Sequence, residues 1–236
     1  SDVCSSDLAI QEQYLHNNRK NEDSVAFVIF NVKGKDLMAI DCENDFAEDG
    51  NKEKERVYTE YKRLGLSTAP FKQVHYYIPY YSNMTEKRST YLSKEDVDDY
   101  ISDGKLHEFK YSYEEDKESL EMLFADVDDP QQTMEAIISK IIDDNDPDFA
   151  GIKTWEQFRG LVDELSQRSQ PVSKGQQRAS NEISVLSWRK FKRIINKAIK
   201  NDDMFANRPN IQNGECRLAD ALKHISSNDV CVIDVA

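Results

Sequence analysis

The residues best suited by type and spacing to do chemistry close the run "VAFVIFNVKGKD", positions 25 to 36. Asn31, Lys33, Gly34 and Asp36 bring an amide, an ammonium, a sterically permissive backbone position and a carboxylate together behind a β-branched and aromatic stretch. At the carboxyl edge of a parallel strand such groups would stand where open α/β sheets receive their ligands. The same letters also fit a plain strand-to-helix turn, with Gly34 present for its backbone freedom. A phosphate loop of the form G-x-x-x-x-G-K-[ST] is absent from the sequence. Gly34-Lys35 and Gly104-Lys105 are followed by Asp36 and Leu106, and neither pair has a glycine five residues before it.

A second concentration is the stretch "SWRKFKRIINKAIK", positions 187 to 200. Val185, Trp188, Phe191, Ile194, Ile195, Ala198 and Ile199 fall on one helical stripe, and Arg189, Lys190, Lys192, Arg193, Lys197 and Lys200 make the other face basic. That face could meet DNA phosphates or an acidic neighbouring subunit, or it could answer the acids of nearby helices. "DDNDPD" (143 to 148) alternates carboxylates as a calcium loop does. Phe149 stands where the loop needs glycine and Trp155 where it needs the bidentate glutamate, so the stretch reads as an acidic helix end and turn. The histidines at 16, 75, 107 and 224 show neither metal-ligand spacing nor a nucleophile arrangement. The aromatics of "VHYYIPYY" (74 to 81) could stack on bases, and a half-buried strand enriches the same residues.

The elements that would position these groups follow from periodicity. Val25 to Val32 reads as a strand buried on both faces of a parallel sheet. Residues 71 to 81 read as a second strand, and the closing "NDVCVIDVA" as a third, with Asp234 near its carboxyl end. Residues 9 to 20 read as the tail of a helix, and 51 to 65 as a charged helix stopped by Gly65. Ser93-x-x-Asp96, Ser112-x-x-Glu115 and Thr154-x-x-Gln157 resemble capping boxes and predict helices near 94 to 102, 113 to 126 and 155 to 166. Further helices are expected over 130 to 144 and 184 to 200, with a polar linker near 166 to 180. The organisation is an α/β core (9 to 82), a mainly helical insertion (83 to 228) and a returning core strand (229 to 236).

Composition narrows the classes. A net charge of −13 gives no global attraction to nucleic acid or to an anionic membrane, so any such contact must be local. Cys42, Cys216 and Cys231 have no C-x-x-C spacing, which argues against a disulfide or zinc framework and for a cytoplasmic setting. The longest apolar run, Val25 to Phe30, is far short of a membrane span.

In order along the chain, "VIFNVKGKDLMAID", "YKRLGLSTAPFKQVHYYIPY", "LEMLFADVDD", "SVLSWRKFKRIINKAI" and "VCVIDVA" resemble the central part of HerA-like ATP-binding proteins, of the HerA and FtsK class of P-loop motors. The resemblance covers most of residues 24 to 236, and its specificity lies in the order of the stretches. It implies a partial RecA-like P-loop ATPase core with few parallel strands and a large helical insertion. The parent would be a ring, commonly hexameric, that uses ATP and Mg²⁺ to translocate double-stranded DNA, often with a nuclease partner. In that layout the phosphate loop precedes the strand at 25 to 32 and the acidic metal-binding strand follows the one at 230 to 235, so this segment by itself would bind neither cofactor tightly. Asn31, Lys33, Gly34 and Asp36 match the family's second-strand motif by position and would lie near the nucleotide, with Asp36 where the family commonly carries Glu. One codon set for Asp2 to Leu8 reads as the tail of a common sequencing adapter. On that ground Ser1 to Leu8 are taken as foreign and the chain as an internal fragment. A nucleotide-free helical adaptor that docks through its basic helix is the rival expectation.

Overall fold

The computed structural model describes residues 26–32, 36–42, 51–65, 68–82, 92–167, 183–199, 203–205 and 208–235. The octet Ser1 to Leu8, the helix expected over 9 to 20 and most of the expected linker lie outside them. The chain forms two compact units, one carrying a sheet and one helical.

The sheet unit holds β1 (Phe27–Asn31), α1 (Asn51–Arg63), β2 (Val74–Pro79), α2 (Lys94–Ser102), β3 (Leu106–Phe109, whose last residue groups with the helical unit), β4 (Glu215–Cys216), α7 (Leu218–Lys223) and β5 (Val230–Asp234). Among the described residues its five strands run in the order β1-β5-β2-β3-β4. β5 is parallel to both neighbours, with Phe27 and Val74 each facing Val230 and the register advancing together from there. Every residue of β5 is buried, which is the pattern of a central parallel strand. β1 differs from its expectation of burial on both faces. Among the described residues it stands at the sheet edge, with Phe27, Ile29 and Asn31 turned inward and Val28, Phe30 and Val32 at 43%, 59% and 70% exposure.

The core of this unit comprises Met38, Val74, Tyr76, Ile78, Val97, Leu106, Val230 and Val232, with Tyr100 and Ile101 packed against it. α2 begins at a reciprocal capping box: Asp96 N–H donates to Ser93 Oγ (3.1 Å) and Ser93 N–H to the Asp96 carboxylate (3.2 Å). Its apolar stripe covers the sheet, which corrects the boundaries of the insertion. Residues 92–108 and 211–228 group with the sheet, because Val97 and Leu106 complete its core. Gly214, which leads into β4, has φ +77° and would place a Cβ 2.8 Å from Ile101 Cγ2, so only glycine suits that approach.

The helical unit spans 80–82 and 109–210. It contains α3 (Tyr113–Asp116), a 3-10 helix (Lys117–Phe124), α4 (Thr133–Ile142), α5 (Trp155–Gln167) and α6 (Val185–Ala198). Thr154 and Gln157 cap α5 reciprocally, as their spacing predicts. The helix expected over 113 to 126 instead tightens after one turn. The Ser112 hydroxyl donates to the Glu115 carboxylate rather than accepting from the backbone, so the α-helical start lacks its side-chain cap. The core is aromatic: Phe191 is fully buried, stacks on Phe124 at 4.9 Å and meets Trp188 edge-on at 5.9 Å. Among the described residues no helix is long and apolar enough to cross a membrane.

Phe191 fills a fully enclosed position, so Phe191→Ala should lower stability by about 3–5 kcal/mol. Urea unfolding followed by tryptophan fluorescence, which reports on the neighbouring Trp188, measures the loss.

Candidate functional site

The carboxyl ends of β1 and β5 carry the polar residues that the sequence brings nearest to a ligand edge. Asn31 and Asp234 are register partners, both fully buried, and Asn31 Nδ2 donates to Asp234 Oδ1 at 3.0 Å. Val235 N–H donates to the Asn31 carbonyl at 2.9 Å and extends the pairing by one step. A hydrogen bond to a buried carboxylate is worth about 1.5–3 kcal/mol and is costly to break one-sidedly. The pair therefore fixes the two strand ends in register. Lys33 and Gly34 lie outside the described residues. Asp36 opens a 3-10 turn (Asp36–Ala39) that Met38 anchors in the core. The structure thus joins Asn31 to Asp234, a residue read from sequence only as a strand end.

A denser cluster lies where no motif announces one. Asp41, its side chain only 4% exposed, accepts from Tyr76 Oη (2.6 Å) and Tyr100 Oη (3.2 Å) on Oδ1 and from Lys105 Nζ (2.9 Å) on Oδ2. The Tyr76 and Tyr100 rings stack at 5.5 Å and are nearly parallel. Burial raises the Asp41 pKa, but the bonds from Tyr76, Lys105 and Tyr100 outweigh it and hold the carboxyl below its ordinary value. Burial first, and then the bond to Asp41, pushes the Tyr76 phenol well up. Lys105 is raised, chiefly by its hydrogen bond to Asp41. The exposed thiol of Cys42 lies 3.3 Å from Tyr100 Oη. Cys216 and Cys231 are the opposite case, pushed by burial to about 12 and about 11, so both are neutral thiols at ordinary pH. The spacing from Asp41 to Lys105 hides this cluster from any linear motif.

The aromatic run of β2 is consumed inside the fold. Tyr76 and Tyr77 are buried at 0% and 6% exposure, and Tyr77 stacks on His107 at 5.3 Å, so neither presents a face to a base. His75 and His107 stack at 6.3 Å, and burial followed by the nearby His75 lowers the His107 pKa. The acids of 143 to 148 bind lysines: Asp144 pairs with Lys117, and Asp146 and Asp148 with Lys140. Among the described residues no group of three His, Cys, Asp or Glu side chains could hold a metal ion.

The basic face of α6 divides. Lys190 Nζ donates to the Asp128 carbonyl (3.0 Å), Arg189 Nε to the Ser166 carbonyl (3.0 Å), and Lys192 pairs with Asp163. Arg193 and Lys197 are exposed, and Lys200 lies outside the described residues. Arg189, Lys192, Arg193, Asn196 and Lys197 line an open groove of about 510 Å³ against Ser166 and Gln167 at the end of α5. No family model and no curated protein matches the chain.

Asp41 gives a signed pH dependence. Its folded pKa is depressed, so its contribution to stability is complete above the unfolded value of about 3.9 and is lost as pH falls through the lower folded value. Asp41→Asn should flatten that acid limb, and Tyr76→Phe should cost about 1.5–3 kcal/mol near neutrality. Urea titrations from acid to neutral pH check both. Iodoacetamide labelling of the folded chain with peptide mapping should modify Cys42 well ahead of Cys216 and Cys231.

Proposed function

We propose that this chain is part of an ATP-dependent motor that translocates double-stranded DNA, of the HerA-like kind its sequence resembles. The observation that carries the reading is the buried Asn31–Asp234 pair at the carboxyl ends of adjacent parallel strands, because open α/β sheets bind ligands just outside such ends. The order of the sheet supports it. The closing strand lies beside the first, and a helical unit is inserted between sheet elements, as a RecA-like core with an insertion requires.

The residues present do not form a phosphate cradle. The sequence has no glycine-lysine loop of the needed form, and Asn31 and Asp234 are fully enclosed, so their role is to hold the strand ends that a nucleotide would approach. ATP and Mg²⁺ would supply the phosphoryl chemistry in the parent protein. A homo-oligomeric ring and a nuclease partner belong to the same reading.

The test is the native gene. Sequencing across its locus should find a G-x-x-x-x-G-K-[ST] loop shortly before Ala9, an acidic strand motif after Ala236, and no codons for the first eight residues. The intact product should hydrolyse ATP with Mg²⁺ and be stimulated by duplex DNA, whereas the 236-residue chain should not turn ATP over. Asn31→Ala and Asp234→Asn in the intact product should each lower the rate at least about tenfold, since misplacing a site's support is that costly. A locus that encodes this chain from a start codon to a stop, without the loop and without ATPase activity, sinks the motor reading in favour of a helical adaptor.

A further inference from the structure

We infer that the groove between the end of α5 and the outer face of α6 binds the phosphate backbone of one strand of duplex DNA, and that Arg189, Arg193 and Lys197 carry the contact. DNA as the partner rests on the motor reading. The anionic, repeating character of the ligand rests on the groove alone.

The geometry is regular. Arg189, Arg193 and Lys197 are spaced four residues apart on one helix, so their stems rise about 6 Å from one to the next. That step is close to the separation of neighbouring phosphates along a strand. Lys192, on the same face, is neutralised by Asp163, and Gln167 Nε2 donates to the same carboxylate at 2.9 Å. The positive charge left over therefore sits on the evenly spaced three. Arg189 commits only Nε to Ser166, one of the five N–H donors of a guanidinium. The side chains of Arg193 and Lys197 make no hydrogen bond or ion pair with another described residue, and both residues are exposed.

The lining decides between a nucleic acid and an acidic protein. Ser166, Gln167, Arg189, Lys192, Arg193, Asn196 and Lys197 are all polar, and a protein interface needs an apolar anchor at its centre. A polyanion backbone needs none, because its affinity comes from counterion release. Lys190 is turned away to the Asp128 carbonyl and does not line the groove, so it serves as an internal control.

Fluorescence anisotropy of a labelled duplex with the 236-residue chain, across a salt series, tests the inference. Three phosphate contacts give a slope of log K against log salt of about −2.7, and the double variant Arg193→Gln/Lys197→Gln should move it toward zero by about 1.8. Lys190→Gln should leave it unchanged. Both sites of the double variant are exposed, and unchanged circular dichroism and unfolding midpoint confirm its fold. An unchanged slope in the double variant overturns the inference, as does displacement of the duplex by polyglutamate at equal charge concentration. Failure of the motor reading is seen separately, as absent ATPase activity in the intact gene product with the salt slope of this chain still responsive to the two substitutions.

Discussion

The sheet depends on one long-range pairing: β5 must fit between β1 and β2, which lie far earlier in the chain. It is buried throughout and is hydrogen-bonded along both edges in parallel register. Until it arrives, β1 and β2 share no strand neighbour, and their inward residues Ile29 and Val74 lack Val232 and Val230 to pack against. Pairing across so many residues closes a large loop, at a cost that grows only slowly with loop length. The helices of the helical unit must nevertheless hold themselves together meanwhile. They do so with a separate core of Leu120, Ile137, Phe158, Phe191 and their neighbours, which shares no residue with the core of the sheet.

The two polar clusters of the sheet unit fix this pairing. Asn31 and Asp234 occupy the last inward positions of β1 and β5, where an apolar pair would tolerate a slipped register and an amide–carboxylate pair does not. Asp41 ties the segment after β1 to β2 through Tyr76, to α2 through Tyr100 and to the entry of β3 through Lys105. One carboxylate thus gathers groups from three elements. Each partner satisfies an oxygen that burial would otherwise make expensive.

Legibility in the sequence followed the range of the interaction. The capping boxes at Ser93 and Thr154 act over three residues, and the helices they announce, α2 and α5, begin where expected. The apolar stripes of α4 and α6 were equally plain, because helical periodicity is itself local. Burial of β1 on both faces was misread, since the composition of a strand does not state whether it lies at the centre or the edge. β3 and β4 were missed because four and two residues are too short to display a period. The Asp41 cluster was invisible for another reason: its members lie in four segments, and no spacing joins them.

The basic face of α6 shows the same limit in electrostatic form. By letter its cations are equivalent, yet Lys190 and Lys192 are drawn to groups of the same unit, whereas Arg193 and Lys197 extend from it. What separates them is the position of the Asp128 backbone carbonyl, which turns Lys190 away, and of the Asp163 carboxylate, which pairs with Lys192, each more than twenty residues away along the chain. A cation held by a neighbouring carboxylate adds little to the surrounding field, and one without such a neighbour adds its full charge. In a chain of net charge −13, the reach of a positive surface is therefore set less by how many lysines and arginines a helix carries than by which of them the fold leaves uncompensated.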